Sequence, residues 1–289
     1  MYFPKFSGKS YDVILFQGSR QVTAIQGVIP KDGKFTLSIP KEYAPYTGMS
    51  RWLITGTQEG GGLDMFIPGR NYAVSCLEAE PNEKNIIYKD NIANQKLNDL
   101  YKTQKKILYR YGVIQQAVKA YDSKDKNYPV FEEEYKSQRK AFENYQQDLQ
   151  QRGDYISRFI QIVNITQGIV NKLYDNEVDK ANALRYYIME ELDWQTLYTS
   201  GHWNSVIGSW MSIHTQMLHD KNAFAEDFTK IGNKIGNKMQ YQDFVNTVAF
   251  GLREEKDKEY LDSVLPVIYR SGKYPGFVSI ETQKVVKLQ

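Results

Sequence analysis

Residues 192–220 read LDWQTLYTSGHWNSVIGSWMSIHTQMLHD, and this stretch decides the fold. It holds three of the four tryptophans (Trp194, Trp203, Trp210) and all three histidines (His202, His214, His219). Tyr198-Thr199-Ser200-Gly201 interrupts it, and Asn204 or Ser205 can cap the helix that follows. Beyond the break, Val206, Ile207, Trp210, Ile213, His214 and Met217 recur at three- and four-residue steps, the period of one helix face. Trp203 and Trp210, two helical turns apart, lie on nearly the same face and read as core anchors. Aromatic side chains bury much apolar area at low entropic cost, so their density at a turn marks the hub of a helical domain.

The histidines invite a metal reading, which their spacing opposes. A helical ligand pair sits at i and i+4, whereas His214 and His219 are five apart and rotate onto different faces. No carboxylate stands at a standard offset, and the one cysteine, Cys76, is far away in sequence. The histidines read as structural.

Working outward, the 289 residues are enough for a substantial core, and the 41 % hydrophobic, 25 % charged composition is that of a globular protein. The net charge of +3 arises from 37 basic and 34 acidic residues without a basic stripe, which argues against a nucleic-acid binder. The 22 Tyr and 13 Phe suggest a surface or interface rich in aromatic side chains, though packed helices alone absorb many of them. With a single cysteine there is no intramolecular disulfide, CxxC couple or cysteine-based zinc site. Cys76 shares an alternating face with Tyr72 and Val74 and reads as a buried, unreactive thiol. MYFPKFSGKS has no signal-peptide core, and no later run is long and apolar enough to span a bilayer.

Residues 1–80 read as an antiparallel β domain. Tyr11, Val13 and Leu15 alternate until Gln17-Gly18-Ser19, and Val22 to Ile29 makes a second run. Pro30-Lys31-Asp32-Gly33-Lys34 is a hairpin signal, answered by a strand over Phe35, Leu37 and Ile39. Trp52–Thr55, Met65–Ile67 and Tyr72–Cys76 add further strands, with Gly60-Gly61-Gly62 as a hairpin tip rather than a phosphate cradle. Repeated short strands with turns between them indicate a sandwich-like arrangement. The polar run 79–85 marks the boundary to a helical domain, residues 81–272.

In that domain, Leu97 to Val118 marks a long amphipathic helix. After a turn at 122–129, Phe131, Tyr135, Phe142, Tyr145 and Leu149 mark its antiparallel partner, with Glu132-Glu133-Glu134 in the first turn favouring the helix dipole. Tyr155 to Leu173 gives a third, broadly apolar helix, within which the glycosylation match Asn164-Ile165-Thr166 is accidental. Asp179–Leu192 leads into the hub. Three more helices follow, around Phe224–Ile235, Phe244–Leu252 and Tyr260–Ile268. Residues 273–289 read as a connector.

No catalytic, cofactor-binding or metal-ligating residue stands out. The chain has no G-x-S-x-G or G-x-G-x-x-G motif. Ser200 and Ser205 flank His202 without an orienting acid in evidence, and Glu190, Glu191 and Asp193 read as a solvated helix edge.

Several segments carry a resemblance. YDVILFQGSRQVTAIQGVIPKDGKFTLSIPKEYAPYTGMSRWLI (11–54), above all IPKDGKF, resembles the β domain preceding TlpA/ResA-like, AhpC/TSA-family thiol–disulfide interchange proteins of Gram-negative bacteria. DYISRFIQIVNITQGI, ELDWQTLYTSGHWNSVIGSW and IYRSGK extend the likeness over essentially the whole chain. In that family a thioredoxin-like domain with the CxxC couple follows in cis. This chain has no CxxC, so no catalytic residue is carried over. The resemblance implies a non-catalytic accessory region of an extracytoplasmic oxidoreductase, positioning the redox domain, binding envelope partners or self-associating. It also implies periplasmic or lipoprotein placement, the leader being absent from this chain. The alternative is a stand-alone envelope binding protein with an aromatic groove between the domains. The expected fold class is α+β.

Overall fold

The alternation at Tyr11, Val13 and Leu15 forms β1 (Ser10–Gln17), on which the N-terminal region is built. In the computed structural model, which describes residues 1–57 and 60–277, β1 pairs antiparallel with β2 (Arg20–Val28) and β3 (Thr47–Thr55). β4 (Gly62–Pro68) joins β3, giving the order β2-β1-β3-β4. Gly60 and Gly61, both at positive φ, lie at the β3–β4 turn, where Gly61 O accepts from Ile54 N.

Period-two alternation separates the two faces. Val13, Trp52, Ile54 and Met65 pack on one side with Phe3, Val74 and Cys76. A ribbon of β5 (Ala73–Ser75) and β6 (Ile87–Lys89) contributes to that side, and Tyr2 bridges it to Lys34. Phe16, Met49 and Phe66 belong instead to a cluster with Leu97, Leu149 and Ile160 of the helices.

The helical region begins with α1 (Ile92–Ala120) and α2 (Tyr128–Arg152). Their antiparallel register shows in the pairs Leu100–Tyr145, Tyr111–Tyr135 and Tyr121–Phe131. α3 (Tyr155–Thr166) packs on both. α4 (Glu177–Tyr186) runs into a π-helical turn (Tyr187–Glu191), then come α5 (Trp194–Tyr198) and α6 (Trp203–Ser212), the last extended by a second π-helical stretch (Ile213–Leu218). α7 (Lys221–Lys234), α8 (Lys238–Glu254) and α9 (Lys258–Ser271) complete the bundle. Trp194, Trp203 and Trp210 are buried in one cluster with Phe224, Phe228 and Phe244, so the opening stretch is the hub of the helical core. The chain is α+β, an antiparallel sheet followed by helices.

Several expectations need correction. Phe35, Leu37 and Ile39 form no strand; the alternation reports burial instead, since all three pack partly against the sheet's clusters. The Pro30–Gly33 turn is present, with Gly33 N donating to Pro30 O, but it leads into this irregular strap. β6 lies beyond the boundary placed at 79–85. Pro129 opens α2 rather than ending the turn, because proline lacks only an N–H that the first helical turn leaves unused. Glu132 to Glu134 therefore sit past that turn, where Glu132 pairs with Lys136 and Glu134 accepts from Gln138. α3 stops at Thr166, before Gly168 at φ +68°. α6 starts at Trp203 without a side-chain cap from Asn204 or Ser205. The π-helical stretch slips the face period, leaving His214 inside and Met217 largely exposed. Residues 278–289, most of the expected connector, lie outside the described residues.

Candidate binding cleft

The strap that failed to pair borders a wide opening. Between it and the sheet lies an open cleft of about 690 Å³. Val13, Ile25, Met65 and Ile67 supply an apolar floor, while Leu37, Ile39 and Pro45 come from the strap. That volume is typical of small-molecule sites, which are mainly apolar with a few convergent polar groups.

The polar groups fall into two sets. Tyr46 and Ser50 are engaged: the Tyr46 hydroxyl donates to Met49 O (2.6 Å) and accepts from Phe16 N (3.1 Å), and Ser50 Oγ donates to Met65 O (3.0 Å). Thr36, Ser38, Arg70, Asn71 and Tyr72 line the cleft without a side-chain hydrogen bond to a described residue. Burial pushes the Tyr72 phenol up to about 12, so it remains a neutral donor at physiological pH. Among the described residues of the lining Arg70 is the only charged side chain, with no Asp or Glu, and the Met1 amino group donates to Phe35 O. The cleft is therefore apolar within and cationic at one end.

The expected aromatic groove between the two regions is mostly filled. Phe66 and Tyr155 stack at 4.6 Å across the junction, leaving a recess of about 220 Å³ beside them. The junction is a hydrogen-bonded joint. Thr199 O accepts from Met49 N (2.9 Å) and from the Tyr155 hydroxyl (2.9 Å), and Tyr198 O accepts from Gly18 N (2.7 Å). Asp243 on α8 accepts from both Ser19 N (2.8 Å) and Ser19 Oγ (2.5 Å).

The polar residues weighed in the sequence are dispersed. His202 packs on Phe159 at 5.6 Å; burial lowers its pKa, and Asp64 offsets part of that shift. Ser200 Oγ donates to Leu197 O and accepts from His202 N, and Ser205 is exposed, so no nucleophile–base pair forms at His202. Glu190 faces Lys230 and Lys234, Glu191 accepts from Gln150, and Asp193 caps α5 and pairs with Arg158. His219 is the left-handed C-cap of the π-helical stretch, remote in role from buried His214. Cys76 is buried, as its alternation indicates. Among the described residues no group of three or more His, Cys, Asp or Glu could hold a metal ion, and no helix is long and apolar enough to cross a membrane.

One buried ionic cluster escaped the sequence. Asp227 on α7, 1 % exposed, meets His214 Nε2 at 2.9 Å and accepts from Arg185 at 2.5 and 2.7 Å. Burial alone would raise the Asp227 pKa, but hydrogen bonds from His214 and Arg185 outweigh it and hold the carboxyl below the usual range. The available signal was an acid on the apolar stripe of Phe224, Phe228 and Ile231. Comparison with protein-family models, curated proteins and solved structures finds no match to this chain.

Proposed function

We propose that this chain is a non-catalytic binding region whose cleft takes an amphipathic molecule, apolar along its length and anionic at one end. The observation that carries this reading is the 690 Å³ cleft, apolar on its floor and with Arg70 as the only charged side chain among the described residues that line it. Calorimetric titration with dodecanoate tests it, with dodecanol as the uncharged control. Arg70→Gln should weaken dodecanoate by ~3–10-fold, the loss of one charge-assisted contact at an exposed position, and leave dodecanol unchanged. Thr36→Trp, at the exposed lip, should block both. No saturable binding to the unaltered protein, or equal binding by the Trp variant, refutes the reading.

A second reading places the same chain in a larger protein. Its resemblance suggests an accessory region of an extracytoplasmic thiol–disulfide oxidoreductase, periplasmic or lipid-anchored, with a thioredoxin-like domain in cis. The joint through Tyr198, Thr199 and Asp243 supports it, because a positioning element has to hold its own parts at fixed orientation. An antibody against this chain should detect, in the envelope fraction of the native organism, a protein larger than 33.6 kDa by a domain of roughly 100–150 residues. A native species of 33.6 kDa would leave the stand-alone binding protein.

A further inference from the structure

The helical region holds a second, chemically different recess. About 140 Å³ opens between α2, the end of α3 and the π-helical turn after α4. An adjoining recess of about 280 Å³ shares Gln150, Gln161, Tyr187 and Glu191 with it, so the two form one trough.

Amides dominate its wall. Asn164 exchanges two hydrogen bonds with Gln104, at 2.7 and 3.0 Å, and is satisfied within the core. Gln146 Nε2 donates to Gln104 Oε1 at 3.3 Å, which leaves Gln146 Oε1 as an acceptor with no described partner. Gln161 is only 9 % exposed, yet neither end of its side-chain amide bonds to a described residue. A primary amide carries two donors and two acceptor lone pairs, and buried polar groups in native proteins find partners. Gln161 lines both recesses, so its amide is open to whatever the trough contains.

The surroundings narrow the class. Ile165, Val170 and the Tyr187 ring add apolar surface beside the amides. Burial raises the Tyr187 pKa, so the ring stays neutral and presents a flat apolar face. Across the two recesses Glu143, Glu190, Glu191 and Asp193 stand with Lys172, Arg158 and Lys234, and Arg158 and Lys234 are already paired with Asp193 and Glu190, a balance that favours a neutral ligand. Groups that both donate and accept, set beside apolar surface, match a sugar ring with hydroxyls on its edge and C–H bonds on its face. We propose that this trough binds a short neutral saccharide of one or two rings, with Gln161 as the central hydrogen-bonding residue. The trough lies apart from the cleft, and a sugar here neither requires nor excludes a ligand there.

Titration followed by NMR tests this on the full chain, using glucose, N-acetylglucosamine and their β-1,4-linked disaccharides as probes and sulfate as the control. At least one sugar should give saturable shifts of the Gln161 side-chain amide, and sulfate none. Gln161→Leu replaces an unpartnered amide with an apolar group of similar size, so it should keep thermal stability while weakening the sugar by ~10-fold or more. Gln147→Leu, on an exposed part of the rim, serves as a second variant and should weaken binding less. If no probe saturates, the trough holds water only and the proposal falls. It falls equally if a sugar binds with the same affinity to Gln161→Leu.

Discussion

Asp227→Ala isolates the ionic cluster buried between Arg185, His214 and Asp227. The carboxylate takes three close contacts from two partners, and those partners differ in what they can recover. Arg185 keeps a quarter of its side chain exposed and can turn to water. His214 is fully buried and cannot. An ionised carboxylate only accepts, so His214 Nε2 carries the proton that would lose its acceptor. Its Nδ1 already has no partner among the described residues. The cost should therefore come chiefly from the histidine and the vacated space, about 3–4 kcal/mol. At roughly 2.1 cal/mol/K per residue, that lowers Tm by about 5–7 °C. Urea unfolding followed by tryptophan fluorescence reads it directly, since the Trp210 ring lies 5.5 Å from His214. The pH dependence supplies a second check. The folded-state pKa of Asp227 is depressed, so its contribution is fully present above the unfolded value of ~3.9 and is lost as pH falls through the folded value. The gap between wild type and variant should then be constant near neutrality and close in acid. A loss under ~1 kcal/mol at pH 7, or a gap that widens in acid, refutes the reasoning.

Trp210→Ala removes a ring with no exposed surface that stacks on Phe224 at 4.5 Å, and should cost ~3–5 kcal/mol in the same urea assay; unchanged stability would place the ring outside the core. Cys76 should react slowly with a thiol reagent in the native state and rapidly after denaturation, and fast native labelling would reopen a reactive-thiol role. The chain alone should show no turnover in insulin reduction, which by thiolate exchange through a dithiol needs two cysteines, and a rate near that of a thioredoxin would refute this. Gly18→Val adds a Cβ 1.9 Å from Asp243 Oδ2 at a residue with φ +62°, so it should destabilise by ~2 kcal/mol or more and speed proteolysis at the joint; a neutral effect would mean that the Asp243 contact is not formed.

The helices were legible because their signal is long and local. Leu97 to Val118 repeats its apolar face over six turns, and no other structure satisfies that pattern. The tryptophan hub was legible because aromatic density survives errors in element boundaries. The strap at Phe35–Ile39 was not, since alternation reports which side chains are covered and not which backbone groups pair. β6 has only three residues, set in polar sequence, and offers no period to read. The cleft assembles residues 13, 25, 36–39 and 65–73, distant in sequence and individually ordinary. Asn164 shows how a motif can mislead: its glycosylation match sits on a side chain held in the core by Gln104.

The joint at Thr199 also sets an order of events during synthesis. Gly18 waits for Tyr198, and Ser19 waits for Asp243, more than two hundred residues downstream. Phe16, Met49 and Phe66 likewise have no cover until α1, α2 and α3 have left the ribosome. Contacts that close such long loops form late, because the chain entropy they remove is lost before they repay it. The sheet is thus made before the helices and finished after them, and its Phe16 and Phe66 face stays uncovered, and open to wrong contacts, while they are translated.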